Sequence, residues 1–265
     1  SNPKIDAVYI ATPHPFHQEN SILCLKEGKA VLCEKPFTIN ALEAAEVIDV
    51  AKEQKQFLME GMWSRFLPHV VKARELIQSG AIGDPRLLQA DFGFKGEWNP
   101  EGRLFNPHLG GGALLDVGVY PISLSFYLFG APKKIQSQAC LGKTGVDEQA
   151  SLLFEYEGGR MALLSTSIQT TTPQEAVIMG SEGSIRLHRP WWGPSHLTLT
   201  TKRGDEVMAF PKVGNGYNYE AEEVGRCLRE GLFESPVMPW DESLAIMKTM
   251  DALRKEWGLV YPMEK

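Results

Sequence analysis

Two segments of this sequence carry residue types that could do acid–base chemistry. The tripeptide Glu34-Lys35-Pro36 ends a short apolar run, and a glycine-rich run leads through Asp116 to Tyr120. A cation beside a phenol favours the phenolate, so such a pair could accept the proton of an alcohol. Lys35, Asp116 and Tyr120 are therefore candidate catalytic residues, with Tyr120 as the candidate base whose pKa a neighbouring Lys35 would lower.

The proline after Lys35 restricts the lysine backbone to extended conformations. A lysine fixed in this way at the end of a buried strand is less free to move than a lysine on a surface helix. Glu34 could pair with Lys35 or accept a ribose hydroxyl. The alternative is a solvated turn with no function, and the tripeptide alone does not decide between these interpretations.

The glycine run at residues 110–112 permits a positive φ or a close backbone approach just before the second segment. A helix would place Asp116 and Tyr120, four residues apart, on one face among apolar neighbours. A buried carboxylate and phenol need partners, so a purely structural tyrosine bonded to the aspartate is the alternative. Pro121 disfavours helical geometry at Tyr120, and we expect a kink eased by Gly118.

A strand-to-helix turn carries the sequence Thr12-Pro13-His14-Pro15-Phe16-His17. Its two prolines fix the backbone, and the N–H groups of the following helix could face an anion. We predict that this turn, including Ala11 before it, binds the ribose or phosphate of a cofactor. Helix capping in a rigid turn is the alternative for both histidines, and it is favoured over catalysis.

An arginine and several aromatic residues complete the candidate site. Arg65 could contact a phosphate, with an interdomain salt bridge as the alternative, and Trp192 could stack on a sugar or ring, with a sheet or subunit contact as the alternative. The predicted cofactor-binding residues are Ala11, Thr12, Pro13, His14, His17, Glu34, Lys35, Pro36, Trp63 and Arg65. The predicted substrate contacts are Phe92, Asp116, Tyr120 and Trp192. Histidine and cysteine spacing predicts no metal site.

The elements that must position these residues change character along the chain. Apolar runs at 7–10, 30–33 and 57–60 alternate with helix patterns, which predicts a parallel sheet. Ligands bind beyond the carboxyl ends of such strands, where Thr12 and Lys35 lie. One of the helices should begin after Asn40, an N-cap followed three residues later by Glu43.

After Pro85 the sequence alternates polar and apolar residues between glycine-rich turns. This pattern predicts hairpins between 152–156 and 160–165, between 176–179 and 184–187, and between 196–201 and 207–210. Two helices, at about 219–230 and 241–257, end the sequence. We therefore predict an α/β fold with a parallel-sheet domain at 1–65. An α+β domain for substrate binding and oligomerisation follows at 66–265, with an open, mainly antiparallel sheet covered by helices on one face. The final helices could pack back on the first domain.

The composition excludes several classes of partner. The 265-residue chain has a net charge of −6 and no basic block, which argues against nucleic acid or an anionic membrane. It contains no run of 18 apolar residues, so no membrane-spanning helix is expected. The four cysteines form no Cys-x-x-Cys pair, as is typical of the reducing cytoplasm. We predict a cytoplasmic protein with a small-molecule partner.

The order and spacing of these segments resemble the glucose–fructose oxidoreductase, inositol dehydrogenase and MocA (Gfo/Idh/MocA) superfamily. The resemblance runs from about Asp6 to Pro262 and is strongest to the branch of dimeric dihydrodiol dehydrogenase and NADP-dependent D-xylose dehydrogenase. That branch has tyrosine where many relatives have histidine, as at Tyr120. The motifs that carry the resemblance are Ala11-Thr12-Pro13 with His17, Gly28-Lys29, Glu34-Lys35-Pro36, Met62-Trp63-Ser64-Arg65-Phe66, Gly80-x-x-Gly83 and Gly111 to Tyr120.

The resemblance implies hydride transfer between NAD or NADP, with NADP favoured by the branch, and a secondary alcohol of a sugar, polyol or dihydrodiol. Lys35 and Tyr120 match the catalytic lysine and tyrosine of the family. The implied fold is a Rossmann domain followed by a domain whose open sheet commonly forms an oligomer interface. A homodimer or higher homo-oligomer is therefore expected.

Family members begin with a strand and a glycine-rich dinucleotide-binding turn that have no counterpart here. We therefore expect an N-terminally truncated oxidoreductase with at most half of a Rossmann sheet. A non-catalytic sugar-binding or dimerisation module, a pseudoenzyme, is the alternative that the missing turn favours and that Lys35 and Tyr120 oppose. A lyase or isomerase with a tightly held nicotinamide, as in some glycosidases, is a third possibility.

Overall fold

The computed structural model describes residues 2–265 and contains a three-stranded and an eight-stranded sheet. The strands are β1 Ala7–Ile10, β2 Ala30–Glu34, β3 Leu58–Gly61, β4 Pro85–Gly93, β5 Lys134–Leu141, β6 Asp147–Glu155, β7 Met161–Ser167, β8 Ala176–Gly180, β9 Gly183–Leu187, β10 Leu197–Thr201 and β11 Gly204–Met208. The α-helices are α1 His17–Lys26, α2 Ala41–Gln54, α3 Pro68–Gln78, α4 Val119–Phe129, α5 Asn218–Arg229 and α6 Trp240–Trp257. This architecture confirms the predicted fold class.

The small sheet is parallel, in the order β1-β2-β3, with α1 and α2 as the connections. Strand β2 is central and almost fully buried, whereas the edge strand β1 exposes Ala7 and Tyr9. The carboxyl ends of these strands lie side by side, since Ile10 is paired with Cys33, and Glu34 with Gly61. The predicted domain boundary between residues 65 and 66 falls after this sheet and stays a prediction.

Helix α2 begins as its N-cap pattern predicts. The Asn40 side chain accepts a hydrogen bond of 2.9 Å from the Glu43 N–H. The Glu43 carboxylate accepts a bond of 3.1 Å from the Ile39 N–H rather than from the Asn40 N–H, so the reciprocal half of the capping box is displaced by one residue. The helix ends at Lys55 in the left-handed conformation, with φ 50°.

The large sheet has the order β11-β10-β9-β8-β4-β7-β6-β5. Only the pairing of β4 with β7 is parallel, and the three predicted hairpins are β6–β7, β8–β9 and β10–β11. The third hairpin is tighter than predicted, because β11 begins at Gly204 rather than at residue 207. Sequence reasoning missed β5, an edge strand whose alternating residues are too small and polar to show a clear pattern. Helices α3, α4 and α6 contact strands of this sheet.

The end of the chain packs against the beginning of α2. Asp251 on α6 accepts a hydrogen bond of 2.8 Å from the Ala41 N–H. The buried Arg254 forms ion pairs with Asp251, at 2.6 Å, and with Glu264, at 2.7 Å, and donates to the Ile39 carbonyl at 3.2 Å. Helix α6 therefore connects the large sheet, which it touches at β5, with the layer that covers the small sheet.

By length and composition alone, the stretch Pro107–Phe129 is apolar enough to cross a membrane. In the structure, 89% of its most apolar window is buried inside the protein. The reason is that α4, at the end of this stretch, packs between α6 and strands β4 and β7 as a core helix.

Replacing Asn40 tests the cap of α2. Asn40→Ala should lower the free energy of unfolding by about 1 kcal/mol relative to Asn40→Ser, because serine keeps an acceptor for the Glu43 N–H. Both variants lose the 3.0 Å contact of Asn40 with Glu264, so the comparison isolates the cap. Urea unfolding curves would measure the difference, and equal stability of the two variants would contradict this account.

Candidate active site

Lys35 extends from the carboxyl end of β2 towards the start of α4. Its Nζ donates a hydrogen bond of 2.7 Å to the backbone carbonyl of Asp116 and lies 3.7 Å from Asp116 Oδ1. The same atom lies 4.9 Å from the centroid of the Tyr120 ring, and the lysine side chain is only 13% exposed. The structure therefore brings the three predicted catalytic residues into one cluster.

Tyr120 is reached through an unusually wide helical turn. Residues Leu114–Gly118 form a π-helical turn that runs directly into α4 at Val119. The kink expected at Pro121 takes this form, and Pro121 itself lies in the first turn of α4, where a missing N–H is tolerated. Single π-helical turns are frequent at functional sites.

The Tyr120 hydroxyl accepts a hydrogen bond of 2.8 Å from the indole N–H of Trp63. Burial raises the pKa of Tyr120 well above its ordinary value, and the Trp63 bond opposes this only in part. The lowering of this pKa that we expected from Lys35 is not observed. The lysine ammonium lies over the ring face, while the carboxylates of Glu34 and Asp116 raise the pKa further.

The Asp116 carboxylate is paired with Arg103, whose Nη1 lies 2.6 Å from Oδ1. Burial alone would raise the pKa of Asp116, but the Lys35 and Arg103 cations together hold it below its usual range. Sequence reasoning missed Arg103, because it lies in an irregular segment after β4 that has no periodic pattern. The available signal was a basic residue just before the glycine run.

The glycine run lets two other segments pack closely onto the π-helical turn. A Cβ on Gly111 would lie 2.9–3.0 Å from three carbonyl oxygens of residues 103–106. Gly112 has a φ of +118°, and a Cβ there would lie 2.3 Å from the Asp147 carboxylate. That carboxylate accepts a hydrogen bond of 2.7 Å from the Leu114 N–H, so Asp147 supports the turn that carries Asp116.

Aromatic rings surround the Tyr120 ring. Phe92 lies 5.2 Å from it and stacks on Trp192, with centroids 4.3 Å apart and planes within 5°. Trp63 stacks in the same way on Tyr217 at 4.5 Å. The predicted residues Trp63, Phe92 and Trp192 therefore lie together. Tyr217 was missed, since it lies in an irregular segment just before α5 that has no periodic pattern.

The side chains of the two histidines after β1 form hydrogen bonds with backbone carbonyls. The His17 ring nitrogens lie 2.8 Å from the Pro36 carbonyl and 2.8 Å from the Thr12 carbonyl. His14 lies 3.2 Å from the Gly110 carbonyl, and burial, with Lys35 nearby, lowers its pKa to about 3. This arrangement favours the rigid-turn interpretation for both residues. Ala11, Thr12 and Pro13 are exposed at the carboxyl end of β1, and Pro36 is buried.

Arg65 does not face the other site residues. Its side chain is fully buried and pairs with Glu242 on α6 at 2.6 Å. It also donates to the Ser123 hydroxyl at 2.7 Å and to the Val237 carbonyl at 3.3 Å. These contacts use the guanidinium inside the protein and favour the salt-bridge alternative over the predicted contact with a cofactor phosphate.

An acidic pair lies at the carboxyl ends of β2 and β3. Glu34 accepts hydrogen bonds from the Tyr9 hydroxyl and, at 3.2 Å, from the Lys35 N–H. Glu220 on α5 is 1% exposed, and within residues 2–265 its Oε2 has no hydrogen-bond partner. This oxygen lies 3.4 Å from the position of a Cβ on Gly61. Burial, together with the Glu34 carboxylate, raises the pKa of Glu220 to about 8, so it is protonated at neutral pH.

The raised pKa of Glu220 makes stability depend on pH. An acid with a folded-state pKa near 8, against about 4.3 unfolded, stabilises the protein fully below the unfolded value and loses that contribution as pH rises towards 8. Glutamine mimics the neutral acid. The free energy of unfolding of Glu220→Gln, relative to the unmodified protein, should therefore increase by about 4 kcal/mol between pH 5 and pH 9.

Unfolding curves at the two pH values would measure this change. Glu222→Gln, at an exposed position on the same helix, is the matched control. A difference between Glu220→Gln and the unmodified protein that does not vary with pH would show that Glu220 does not titrate in this range.

Comparison with known proteins gives two family matches. The model described as oxidoreductase family, NAD-binding Rossmann fold, matches residues 1–62, and that of the GFO/IDH/MocA C-terminal domain matches residues 70–186. Trans-1,2-dihydrobenzene-1,2-diol dehydrogenase of Mus musculus is 38% identical over 100% of this chain and 81% of that protein. The Homo sapiens protein of the same name is 35% identical over the same shares.

Solved structures share the fold of this chain. Aldose-aldose oxidoreductase from Caulobacter crescentus superposes with a TM-score of 0.88 at 23% identity, covering 96% of this chain and 77% of that one. A 3-ketoreductase from Actinomadura kijaniata, in complex with NADP and TDP-benzene, gives 0.82 at 25% identity, covering 96% and 79%. The chain therefore belongs to the GFO/IDH/MocA family of NAD(P)-dependent oxidoreductases.

Proposed function

We propose that this protein is a dehydrogenase that moves hydride between a nicotinamide cofactor and a secondary alcohol of a sugar, polyol or dihydrodiol. Tyr120 acts as the acid or base and Lys35 as its electrostatic partner. The observation that carries this proposal is the cluster in which Lys35 Nζ lies 4.9 Å from the Tyr120 ring centre while Trp63 donates to the Tyr120 hydroxyl. A phenol, a cation and a hydrogen-bond donor are the groups that alcohol oxidation needs around the reacting oxygen.

The carboxyl ends of β2 and β3 fit the nicotinamide end of such a cofactor. Within residues 2–265, a buried oxygen of Glu220 has no hydrogen-bond partner there, and it lies 3.4 Å from the position of a Cβ on Gly61. We propose that Glu34, Lys35 and the exposed Thr12 hold the cofactor, with Ala11 and Pro13 beside them. Bound nicotinamide supplies the hydride acceptor or donor. NADP is our preference over NAD, supported by the NADP complexes of the similar 3-ketoreductase.

The raised pKa of Tyr120 favours its role as a proton donor at neutral pH. In carbonyl reduction, the neutral phenol donates its proton to the oxygen of the substrate. This transfer leaves a phenolate, which the Trp63 N–H stabilises. In alcohol oxidation the direction is reversed, and the phenolate takes the proton of the substrate hydroxyl. Lys35 stabilises negative charge on the substrate oxygen, and Asp116 orients the lysine through its backbone carbonyl.

The substrate is proposed to lie against the rings of Phe92 and Trp192, which stack on each other beside Tyr120. Flat apolar surfaces of this kind suit a ring-shaped substrate, since ring stacking adds to the burial of apolar area. The curated relatives that share 35–38% identity are named for a dihydrobenzene diol, which is such a ring. This supports a cyclic diol as a substrate class alongside sugars.

Replacing the proposed acid–base group gives a direct test. In a reduced-nicotinamide absorbance assay, Tyr120→Phe should lower kcat by about 10²- to 10⁴-fold, because the ring stays and only the proton-transferring oxygen is lost. The Kd of the cofactor should stay within about twofold. Tyr156→Phe, at another buried tyrosine, is the control.

Wild-type kcat in Tyr120→Phe would contradict the assignment of Tyr120. Binding of sugar or diol by the unmodified protein, without turnover in the presence of cofactor, would favour a non-catalytic binding module instead. The two outcomes concern different claims and can be told apart in one set of measurements.

We also propose that the protein forms a homodimer or higher homo-oligomer through the large sheet and functions in the cytoplasm. Alternate residues of β5, β6 and β7 are exposed, and Met161 and Leu163 on β7 are 38% and 41% exposed despite being apolar. Light scattering should give at least twice the mass of one chain, and Leu163→Glu should lower that mass; a monomer would contradict the proposed oligomer.

The proposed cytoplasmic location is supported by the cysteines. All four are free thiols, as expected in a reducing compartment.

A further inference from the structure

We propose that Arg103 is a positioning residue that holds the Asp116 carboxylate away from Lys35. By doing so it keeps the charge of Lys35 available to the oxygen of the substrate. The inference rests on the proposed function of Lys35 and Tyr120, and it adds a residue from a segment that the catalytic motifs do not include.

The carboxylate and the backbone carbonyl of Asp116 have different cationic partners. The carboxylate oxygen Oδ1 lies 2.6 Å from Arg103 Nη1 but 3.7 Å from Lys35 Nζ. A separation of 3.7 Å is beyond hydrogen-bond range. Lys35 instead contacts the backbone carbonyl of Asp116 at 2.7 Å, a neutral group. The carboxylate is therefore bonded to the arginine and the carbonyl to the lysine.

This division matters because of what a direct ion pair would do. A lysine hydrogen-bonded to a carboxylate has much of its field cancelled, and it stabilises a nearby developing oxyanion less well. Asp116 is only 6% exposed, so water screens its charge poorly. Without another cation at the carboxylate, the ammonium of Lys35 would be its nearest partner. Arg103 occupies that position with a guanidinium that stays charged at any relevant pH.

The backbone around Arg103 is fixed even though its side chain is 60% exposed. The Gly112 N–H donates to the Leu104 carbonyl at 2.9 Å, and the Phe105 N–H donates to the Gly102 carbonyl at 3.0 Å. Gly111 has no Cβ, which allows the carbonyl oxygens of this segment to approach the glycine run. The segment that carries Arg103 therefore has a defined position, and its exposed guanidinium side chain reaches the buried Asp116 carboxylate from the protein surface.

Other charged and titratable groups near the cluster do not replace Arg103. Glu34 is a carboxylate that accepts from the Lys35 backbone N–H at 3.2 Å, so it cannot take the place of a cation at Asp116. His14 interacts with both Lys35 and Asp116, but burial lowers its pKa to about 3, so it is neutral when the protein works near pH 7. Among the described residues, Lys35 and then Arg103 are the cations whose charges lower the pKa of Asp116, and Arg103 adds a hydrogen bond.

The test compares substitutions at Arg103 in the whole chain. Arg103→Gln should lower kcat about tenfold with KM within about twofold, as expected when an interaction made in the transition state is weakened. Arg103→Lys, which keeps a cation, should recover most of the loss. Arg86→Gln, at another exposed arginine paired with an aspartate, is the matched control and should leave kcat unchanged.

A double-mutant cycle separates this role from a general structural one. In an Asp116→Asn background the carboxylate is absent, so Arg103→Gln should cause no further loss of kcat. A wild-type kcat in Arg103→Gln, failure of lysine to rescue, or an equal loss in both backgrounds would overturn the inference.

A crystallographic comparison does not depend on turnover. In Arg103→Gln, the distance from Lys35 Nζ to Asp116 Oδ1 should fall from 3.7 Å to about 2.8 Å, the length of a charge-assisted hydrogen bond. An unchanged distance would overturn the inference. Absence of turnover in the unmodified protein would overturn the proposed function instead, and the measured distance would still decide where the carboxylate goes.

Discussion

The hydrogen bond from Lys35 Nζ to the backbone carbonyl of Asp116 joins the two halves of the site. One partner comes from the carboxyl end of a parallel strand, and the other comes from the helical turn that packs on the large sheet. Neither sheet alone places a cation beside Tyr120. The geometry of the cluster therefore depends on how firmly the two sheets are held together.

Several contacts between side chains and backbone hold the two sheets in their relative position. Arg65 after β3 pairs with Glu242 on α6, and Asp251 on α6 bonds to the first turn of α2. Near the site, the Tyr261 hydroxyl donates to the Gly111 carbonyl at 2.6 Å. Arg65 thus contributes to the site by orienting the sheets that carry it. Polar groups of this kind, buried and bonded, favour one relative arrangement over many.

Burial and charge divide the titratable groups of the site into two classes. Asp116 has two cations near it and is ionised, whereas burial raises the pKa values of Glu220 and Tyr120, which hold their protons at neutral pH. Environments that push pKa values apart are how a protein assigns acid and base roles to similar groups. In the proposed mechanism the ionised carboxylate has a positioning role, and the neutral phenol is the proton donor.

Much of the fold could be predicted because local signals agreed with the tertiary structure. Asn40 begins α2, Gly158 and Gly159 form the turn between β6 and β7, and the apolar run of β2 is buried on both faces. Helical spacing grouped Asp116 with Tyr120, and the resemblance to the family grouped Lys35 with them.

The rest of the site depends on contacts that leave no local pattern. Arg103 and Glu220 reach the cluster from an irregular segment and from a helix far along the chain. The direction of the Tyr120 pKa could not be inferred either, because it depends on how completely the ring is enclosed. Arg65 has the residue type of a phosphate ligand, and only its contacts reveal the salt bridge.

Pro121 has a consequence for the carbonyl that Lys35 uses. In a π-helical turn the carbonyl of a residue accepts from the N–H five positions later, and for Asp116 that position is Pro121, which has no N–H. The backbone therefore offers no competing π-helical donor to this oxygen. Because Pro121 provides no N–H, the Asp116 carbonyl can accept the hydrogen bond from Lys35 Nζ. The break in regular helix geometry beside Tyr120 therefore provides the acceptor that fixes the lysine.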